Sequence, residues 1–346
     1  MPVIDSFSDD FAALYNADCM EVLPELPTGS IDFSVYSPPF PELYQYSDDV
    51  RDVTNCTSYD ESIEQLAYVV KEVARLTPAG RLSAVHCTDL RRGSMYQRDF
   101  PADLVKIHEA VGMNFFCRVT IWKDPWEFAR RTRMKSLMHK QVTVTDSAAS
   151  RICPADYLLV FKKAGNNAVP VKHVKGFKTY CGGKQIPEAL LRDFGNYKGD
   201  PRGNLLSHWI WRQYASPVWM DIRRSRIMPY REARENVEEK HVCPLQLDVI
   251  ERCVTLWSNP GERVLTPFMG VGSEVFGAII NDRKGVGIEL KPTYYRQALK
   301  NVQKALDPDF RIDEARSLAE TMNAEPDEDG DAEFGEEPEL IGVDAE

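Results

Sequence analysis

The tetrapeptide Ser37-Pro38-Pro39-Phe40 follows an apolar run, residues 31–36, that has the composition of a strand. Consecutive prolines fix φ at two positions and remove two backbone N–H donors, and Ser37 is kept extended by the proline after it. The carbonyls of Ser37 and Pro38 are then held at a strand end, beside a hydroxyl and an aromatic ring. This arrangement suits a planar heterocycle with an exocyclic amine, although Pro-Pro alone is also typical of a strand-ending turn.

The composition places the chain among globular proteins. It has 346 residues, 43% of them hydrophobic, which is enough for one large domain or two modest ones. No apolar run reaches the roughly 18–20 residues of a membrane span, and residues 1–10 lack the features of a signal peptide. The eight cysteines are scattered without a CxxC pair, which indicates reduced thiols rather than a disulfide framework or a zinc site. We therefore expect a cytoplasmic protein without a metal.

The formal net charge of −11 is unevenly distributed along the chain. Residues 325–346 contain 11 of the 53 acidic residues and no Lys or Arg, so the remaining 42 acidic residues balance 42 basic ones. Within that balanced part, residues 118–234 carry 23 Lys or Arg and 9 Asp or Glu. The acidic tail is predicted to be disordered. The basic segment is a candidate surface for the phosphates of DNA.

Strand and helix patterns alternate in the first half of the chain. Predicted strands lie at 31–36, 82–87, 115–122 and 157–162, with predicted helices from Ser58 to 77 and from 100 to 111. Glu61 stands three residues after Ser58, as in a capping box. Residues 42–55 have the composition of a lid, and residues 91–99 that of a polar loop. Strands that alternate with helices predict a parallel sheet.

A second strand–helix–strand–helix pattern follows a helix predicted over 244–257. Its first strand, 263–265, leads into Thr266-Pro267-Phe268-Met269-Gly270-Val271-Gly272-Ser273. Gly270 and Gly272 allow a ligand to approach the backbone, and the helix over 274–281 offers free N–H groups. Glu289 ends the next strand, 19 residues after Gly270, near the roughly 20-residue gap of a ribose-binding acid. Without a third glycine, this pattern favours an adenosine cofactor over a dinucleotide.

Three stretches together resemble the amino-group DNA methyltransferases, which use S-adenosyl-L-methionine to methylate cytosine N4 or adenine N6. They are Leu14-Tyr15-Asn16-Ala17-Asp18-Cys19, the strand that leads into residues 37–40, and residues 266–273. The catalytic motif precedes the cofactor motif, which resembles the permuted β-type order of that family. The resemblance covers about 1–162 and 207–306. It implies S-adenosyl-L-methionine as cofactor, DNA as partner, and a role in restriction–modification.

The resemblance also implies the roles of particular residues. The catalytic positions are Ser37, Pro38, Pro39 and Phe40. The cofactor positions are Asp18, His241, Pro244, Thr266, Pro267, Phe268, Gly270, Gly272, Ser273 and Glu289. The basic loop 123–150 would contact DNA through Arg130, Arg131, Arg133, Lys135 and Lys140. Acceptors at Ser37 and Pro38 would aim the amine lone pair at the methyl group of the cofactor, while Phe40 stacks on a flipped base. Neither a metal nor a covalent enzyme intermediate is required.

The implied fold is α/β and Rossmann-like, with a mixed, mostly parallel sheet and helices on both faces. Its parts are a catalytic half (1–162), a small irregular insertion for target recognition (163–206), a cofactor-binding half (207–310) and an acidic tail (311–346). Ser at the first position of the catalytic motif resembles the cytosine-N4 branch of the family, whereas Asp there is more typical of the adenine-N6 branch. Cytosine N4 is therefore the expected target, and adenine N6 stays open. Thr266 stands where the family usually has Asp, which leaves an inactive DNA-binding relative as an alternative. Methylation of RNA or of a protein glutamine, and a homodimer, also stay open.

Overall fold

A computed structural model describes residues 3–92, 96–132, 134, 137, 139–191, 203–233 and 244–310, without the side chains of Arg92 and Arg131. The acidic tail predicted to be disordered lies outside these residues. In chain order, strands β1 to β11 are Asp5–Ser8, Ala12–Asn16, Phe33–Tyr36, Leu82–Thr88, Leu90–Arg92, Tyr96–Arg98, Met113–Ile121, Asp156–Lys163, Val218–Trp219, Arg263–Thr266 and Lys284–Glu289. Helices α1 to α8 are Cys19–Val22, Tyr59–Leu76, Phe100–Ala110, Pro125–Thr132, Leu205–Tyr214, Leu247–Trp257, Ser273–Ile280 and Pro292–Leu306.

One large sheet organises the described part of the chain, with the strand order β1-β2-β11-β10-β3-β4-β8-β7-β9. Within the run β2-β11-β10-β3-β4, each strand is parallel to the next one. Strand β8 lies between β4 and β7 and runs antiparallel to both, although the alternating pattern predicted only parallel pairing there. The mixed, mostly parallel α/β sheet is therefore confirmed.

Two hydrophobic cores lie on opposite faces of this sheet. Val264 belongs to one core and the next residue, Leu265, to the other, because successive side chains of a strand point to opposite faces. The core around Val264 includes residues of α6, α7 and α8, and the core around Leu265 includes residues of α1, α2 and α3. Helices therefore cover both faces, as expected.

Local signals explain where several elements begin. The Ser58 hydroxyl accepts the Glu61 N–H at 3.2 Å and caps α2, as predicted. The helix predicted from residue 244 begins at Leu247, because Gln246 before it is still extended. The predicted polar loop over 91–99 is wrong, since β5 and β6 form an antiparallel pair there. Arg91, Tyr96 and Gln97 of this pair are exposed, so the strand pairing left no alternating hydrophobic pattern in the sequence.

The predicted insertion is attached to α6 through the buried Arg252 side chain. The Arg252 side chain on α6 donates from Nε to the Cys181 carbonyl at 2.6 Å and from an Nη to Asp221 at 2.8 Å. Tyr214 and Trp219 are buried beside it, whereas Trp211 is 48% exposed. The described residues of this segment thus pack on the main domain.

Candidate active site

A cavity of about 240 Å³ lies at the carboxyl ends of β2, β3, β10 and β11. Residues 17–20, 37–40, 267–271 and 288–291 line it, together with parts of the loop before α2. In open α/β sheets, ligands bind at this edge of the strands. Two motifs that are far apart in the sequence, residues 37–40 and the glycine-rich turn, therefore share one cavity.

Strand pairing explains why these segments meet. Strand β10 lies between β3 and β11 and is parallel to both, so the segments that follow these strands leave the sheet at the same edge. Strand β2 pairs with β11 on the other side, with Asn16 opposite Glu289. The Ala17 N–H then donates to the Glu289 carbonyl at 3.1 Å, which brings Asp18 to the cavity.

The glycine-rich turn is open on the side that faces the cavity. Gly270 and Gly272 have φ of +55° and +89°, in the left-handed region that favours glycine. A Cβ on Gly270 would have no heavy atom within 4 Å, whereas one on Gly272 would lie 3.1 Å from the Ala298 Cβ. Gly270 therefore leaves room for a ligand, and Gly272, which does not line the cavity, permits the close packing of α7 against α8.

The carboxyl group of Glu289 is held beside this turn by two backbone N–H groups. It accepts the Gly270 N–H at 2.7 Å and the Lys291 N–H at 2.9 Å. Burial raises its pKa to about 7, although these backbone donors lower it. An acid at this place can accept hydroxyl hydrogens from a bound nucleoside, as the sequence predicted for Glu289.

Glu274, a further acid that lines the cavity, was not indicated by the sequence. It is 5% exposed, on the first turn of α7, and it lines the cavity. Among the described residues, its own backbone N–H is the donor found for its carboxyl. Burial raises the pKa of Glu274 to about 8, and the charge of Glu289 adds to this effect. Glu274 directly follows Ser273, a predicted cofactor position, and this adjacency could have indicated it as a cavity residue.

The remaining cofactor positions divide into three groups. Asp18, Pro244, Pro267, Phe268 and Ser273 line the cavity. The Asp18 carboxylate accepts the Met20 N–H at 2.9 Å and so caps α1. Thr266 does not line the cavity. It is 1% exposed, and its hydroxyl has no hydrogen-bond partner in the described part of the chain. His241 lies outside the described residues.

The catalytic motif is held by its neighbours on the sheet. Ser37 Oγ lies 3.2 Å from Nδ1 of His86 and 3.3 Å from the His86 carbonyl oxygen. The Phe40 ring packs edge-on against Phe100, with ring centroids 6.1 Å apart. Ser37, Pro38, Pro39 and Phe40 all line the cavity. The sequence did not indicate His86.

The loop predicted as a lid forms part of the cavity wall. Tyr44, Tyr46, Arg51 and Asp52 line the cavity from this loop. The Tyr46 carbonyl accepts Lys291 Nζ at 3.2 Å, which ties the loop to the segment after β11. The loop before α2 is thus attached to the segment after β11, and both line the cavity.

Two of the predicted DNA contacts, Arg130 and Lys140, fall within the described residues. Arg130 and Lys140 are exposed, and neither lines the cavity. The Arg131 side chain, Arg133 and Lys135 fall outside the described residues. Within the described part of the chain, no group of three or more His, Cys, Asp or Glu is placed to hold a metal ion. None of the helices described there combines the length and apolar character that crossing a membrane requires.

Comparison with known proteins identifies relatives of the chain. M.BamHI, a type II methyltransferase of Bacillus amyloliquefaciens, is 23% identical over 308 residues, which are 86% of this chain and 59% of that protein. M.BglII, a type II methyltransferase of Bacillus subtilis, is 26% identical over 286 residues, which are 81% of this chain and 66% of that protein. The chain thus spans less than two thirds of the length of each relative.

The fold also has a counterpart among solved structures. A Thermus thermophilus protein described as a DNA modification methylase, complexed with S-adenosyl-L-methionine, has a TM-score of 0.56 at 19% identity. The match covers 86% of this chain and 97% of that chain, which shows a shared fold. The sequence model of the N6_N4_Mtase family, described as DNA methylase, matches residues 31–300. Because that match spans most of the chain, the protein belongs to this DNA methylase family.

Proposed function

We propose that the protein transfers a methyl group from S-adenosyl-L-methionine to the exocyclic amine of a base in DNA. The shared cavity carries this proposal, because one wall suits a nucleoside and another suits an amine-bearing heterocycle. Membership of the DNA methylase family supports it. The relatives M.BamHI and M.BglII, both type II methyltransferases, support a role in restriction–modification.

The residues at the glycine-rich turn fit this cofactor. The open side of Gly270 admits a ligand close to the backbone, and Glu289 would accept the ribose hydroxyls. Asp18 would accept the adenine amine. Glu274 would face the positive charge of the ligand from the start of α7. When bound, S-adenosyl-L-methionine supplies an electrophilic methyl group. The protein orients this methyl group and limits the access of water to it.

The residues of the catalytic motif would prepare the amine. An aromatic amine is a weak nucleophile because its lone pair is delocalised into the ring. The Ser37 hydroxyl and the Pro38 carbonyl would accept the amine hydrogens and direct the lone pair toward the methyl group. Phe40, held by Phe100, would stack on the base, which must first leave the duplex.

Cytosine N4 is the favoured target, because Ser37 stands where the adenine-N6 branch more typically has Asp. Adenine N6 is the alternative. The second alternative is a DNA-binding relative without activity, because Thr266 stands where the family usually has Asp. The Thr266 side chain does not line the cavity, whose acids near the turn are instead Glu274 and Glu289. We therefore favour an active enzyme.

DNA contacts are proposed for the basic loop 123–150, where Arg130 and Lys140 are exposed. Replacement of both by Glu should weaken binding to DNA of any sequence and reduce its salt dependence. Fluorescence anisotropy with labelled duplexes at several salt concentrations measures both effects. An unchanged salt dependence would exclude these two residues from the interface.

The target base and site can be read by single-molecule sequencing of DNA from a host that expresses the protein. We expect N4-methylcytosine within one recognition sequence, and none when the host expresses Ser37→Ala or Phe40→Ala. The exposed-residue variant Ser6→Ala should methylate as the wild type does. Full methylation by Ser37→Ala would refute the catalytic assignment, and N6-methyladenine would refute the choice of base.

A further inference from the structure

A line of polar side chains leads from Ser37 away from the cavity. His86 Nδ1 lies 3.2 Å from Ser37 Oγ, and His86 Nε2 lies 3.6 Å from Asp156 Oδ2. Asp156 Oδ1 is in turn 2.5 Å from Lys123 Nζ. Ser37 lines the cavity, whereas the other three side chains do not. Behind Ser37, a histidine, a carboxylate and an ammonium group thus follow one another, each close to the next.

The register of three strands builds this line. Strands β3 and β4 are parallel, with Tyr36 opposite Val85, so Ser37 follows β3 directly beside His86 on β4. Strand β8 is antiparallel to β4, with Leu158 opposite His86, which places Asp156 on the diagonal of the same face. Side chains in such diagonal positions are within reach of each other.

Burial and charge fix the state of Asp156. Asp156 and His86 are each 8% exposed. Burial acts to raise the pKa of Asp156, but His86 and Lys123 outweigh it and hold that pKa at about 2. Asp156 is therefore a carboxylate at neutral pH. Asp89, Asp99 and Arg118 are further charged groups near this line, and Asp89 is affected by Asp99, Arg118 and Lys123.

The carboxylate favours one tautomer of His86. The 3.6 Å separation is longer than a hydrogen bond, so Asp156 acts on Nε2 through charge. A negative charge beside Nε2 favours the proton on that nitrogen, which leaves the Nδ1 lone pair to accept the Ser37 proton. The second acceptor near Ser37 Oγ, 3.3 Å away, is the carbonyl of His86. A hydrogen bond to either acceptor directs the Ser37 proton away from the cavity. The lone pairs of Ser37 Oγ are then available to a ligand.

We propose that His86 is a positioning residue and proton acceptor that acts through Ser37 in the methyl transfer proposed above, on which this inference rests. As the bond from nitrogen to the methyl carbon forms, the bond from sulfur to that carbon breaks and its electron pair stays on sulfur. The amine nitrogen then gives a proton to Ser37 Oγ, and the Ser37 proton moves to His86 Nδ1. Asp156 stabilises the imidazolium that results.

A pH profile separates this role from a structural one. The full-length protein, S-adenosyl-L-methionine and substrate DNA are mixed at pH 5.5 to 8.5, and methyl transfer is followed in a single turnover. We expect the wild-type rate to rise with pH to a plateau, because an imidazolium cannot accept the Ser37 proton. His86→Asn keeps an acceptor near Nδ1 but takes up no proton. Its rate should be about 100-fold lower and independent of pH.

Two further variants complete the test. Asp156→Asn should lower the plateau rate, because the neutral amide no longer stabilises an imidazolium. The exposed-residue variant His208→Asn should keep the wild-type profile. Melting temperature and cofactor affinity, measured for each variant, show whether it is folded. A wild-type pH profile in His86→Asn, or a wild-type rate in Asp156→Asn, would overturn the relay. Absence of methyl transfer by the wild type at every pH would instead refute the proposed function.

Discussion

The carboxylate of Glu289 accepts a 2.7 Å hydrogen bond from the Gly270 N–H, which ties the end of β11 to the turn after β10. The two residues lie 19 positions apart in the chain and leave the sheet from neighbouring parallel strands. The Lys291 N–H holds the other carboxylate oxygen. Because the acid is fixed before a ligand enters, little conformational freedom is lost on binding.

Glu289→Gln should weaken the binding of S-adenosyl-L-methionine. Loss of charged hydrogen bonds to the ligand costs about 1.5–3 kcal/mol, which is roughly a 10- to 100-fold change in Kd. Isothermal titration calorimetry measures the affinity. The control is Glu64→Gln, an exposed position on α2. Equal affinity in Glu289→Gln and the wild type would show that Glu289 does not bind the ligand.

Cofactor affinity should rise with pH. Burial raises the pKa of Glu289 to about 7 and that of Glu274 to about 8, so both carboxyls hold protons in weakly acidic solution. A cationic ligand favours the ionised carboxylates, so binding lowers their pKa and releases protons. Affinity should therefore increase from pH 6 and level off above about pH 8. Calorimetry in buffers of different ionisation enthalpy counts the protons.

Two comparisons assign this effect to the cavity. Glu274→Gln should remove the upper part of the pH dependence and release fewer protons. S-adenosyl-L-homocysteine, which lacks the sulfonium charge, should show a weaker pH dependence than S-adenosyl-L-methionine. If both ligands bind to the wild type and to Glu274→Gln with one common pH profile, the cavity acids do not respond to the charge of the cofactor.

Gly270→Ala and Gly261→Ala form a matched pair. Both glycines have positive φ, +55° and +81°, and a Cβ on either would have no heavy atom within 4 Å. Each variant should lose about 1–2 kcal/mol of stability through backbone strain. Only Gly270→Ala should also weaken cofactor binding, because Gly270 lines the cavity and Gly261 does not. Equal cofactor affinities in the two variants would contradict a ligand at the turn.

Arg252→Ala tests how the predicted insertion is attached. It removes the bonds to Asp221 and to the Cys181 carbonyl and leaves Asp221 buried without its ion pair. Such losses typically cost about 3–5 kcal/mol of unfolding free energy. Urea denaturation measures the change, with the exposed Arg212→Ala as control. A loss below about 1 kcal/mol would mean that the segment is not held by this network.

The strand ends and their motifs could be predicted because their residues are locally determined. The strand before Ser37, the turn from Thr266 and the acid at Glu289 each depend on a few neighbouring residues, and the structure brings Ser37 and Glu289 to one cavity. The start of α2 was also predictable, since the Ser58 cap is a local hydrogen bond. Parallel strands then carry these local features to the same edge of the sheet.

Features that depend on pairing between distant segments were not predictable. His86 looks like an ordinary member of a buried strand until β3 is placed beside β4. Asp156 gains its role from the antiparallel insertion of β8, which the alternating pattern did not indicate. The β5–β6 hairpin was read as a loop because its pairing buries few apolar side chains.

The most direct test of the shared cavity is methyl transfer from S-adenosyl-L-methionine labelled with a trideuterated methyl group. After incubation with DNA that carries the recognition site, nucleosides are released and analysed by mass spectrometry. The wild type should yield trideuterated N4-methylcytosine, and Ser37→Ala should yield none while it still binds the cofactor. Equal labelling of DNA by Ser37→Ala and the wild type, or a wild type that binds the cofactor but labels no DNA, would contradict a single site built from residues 37–40 and the glycine-rich turn.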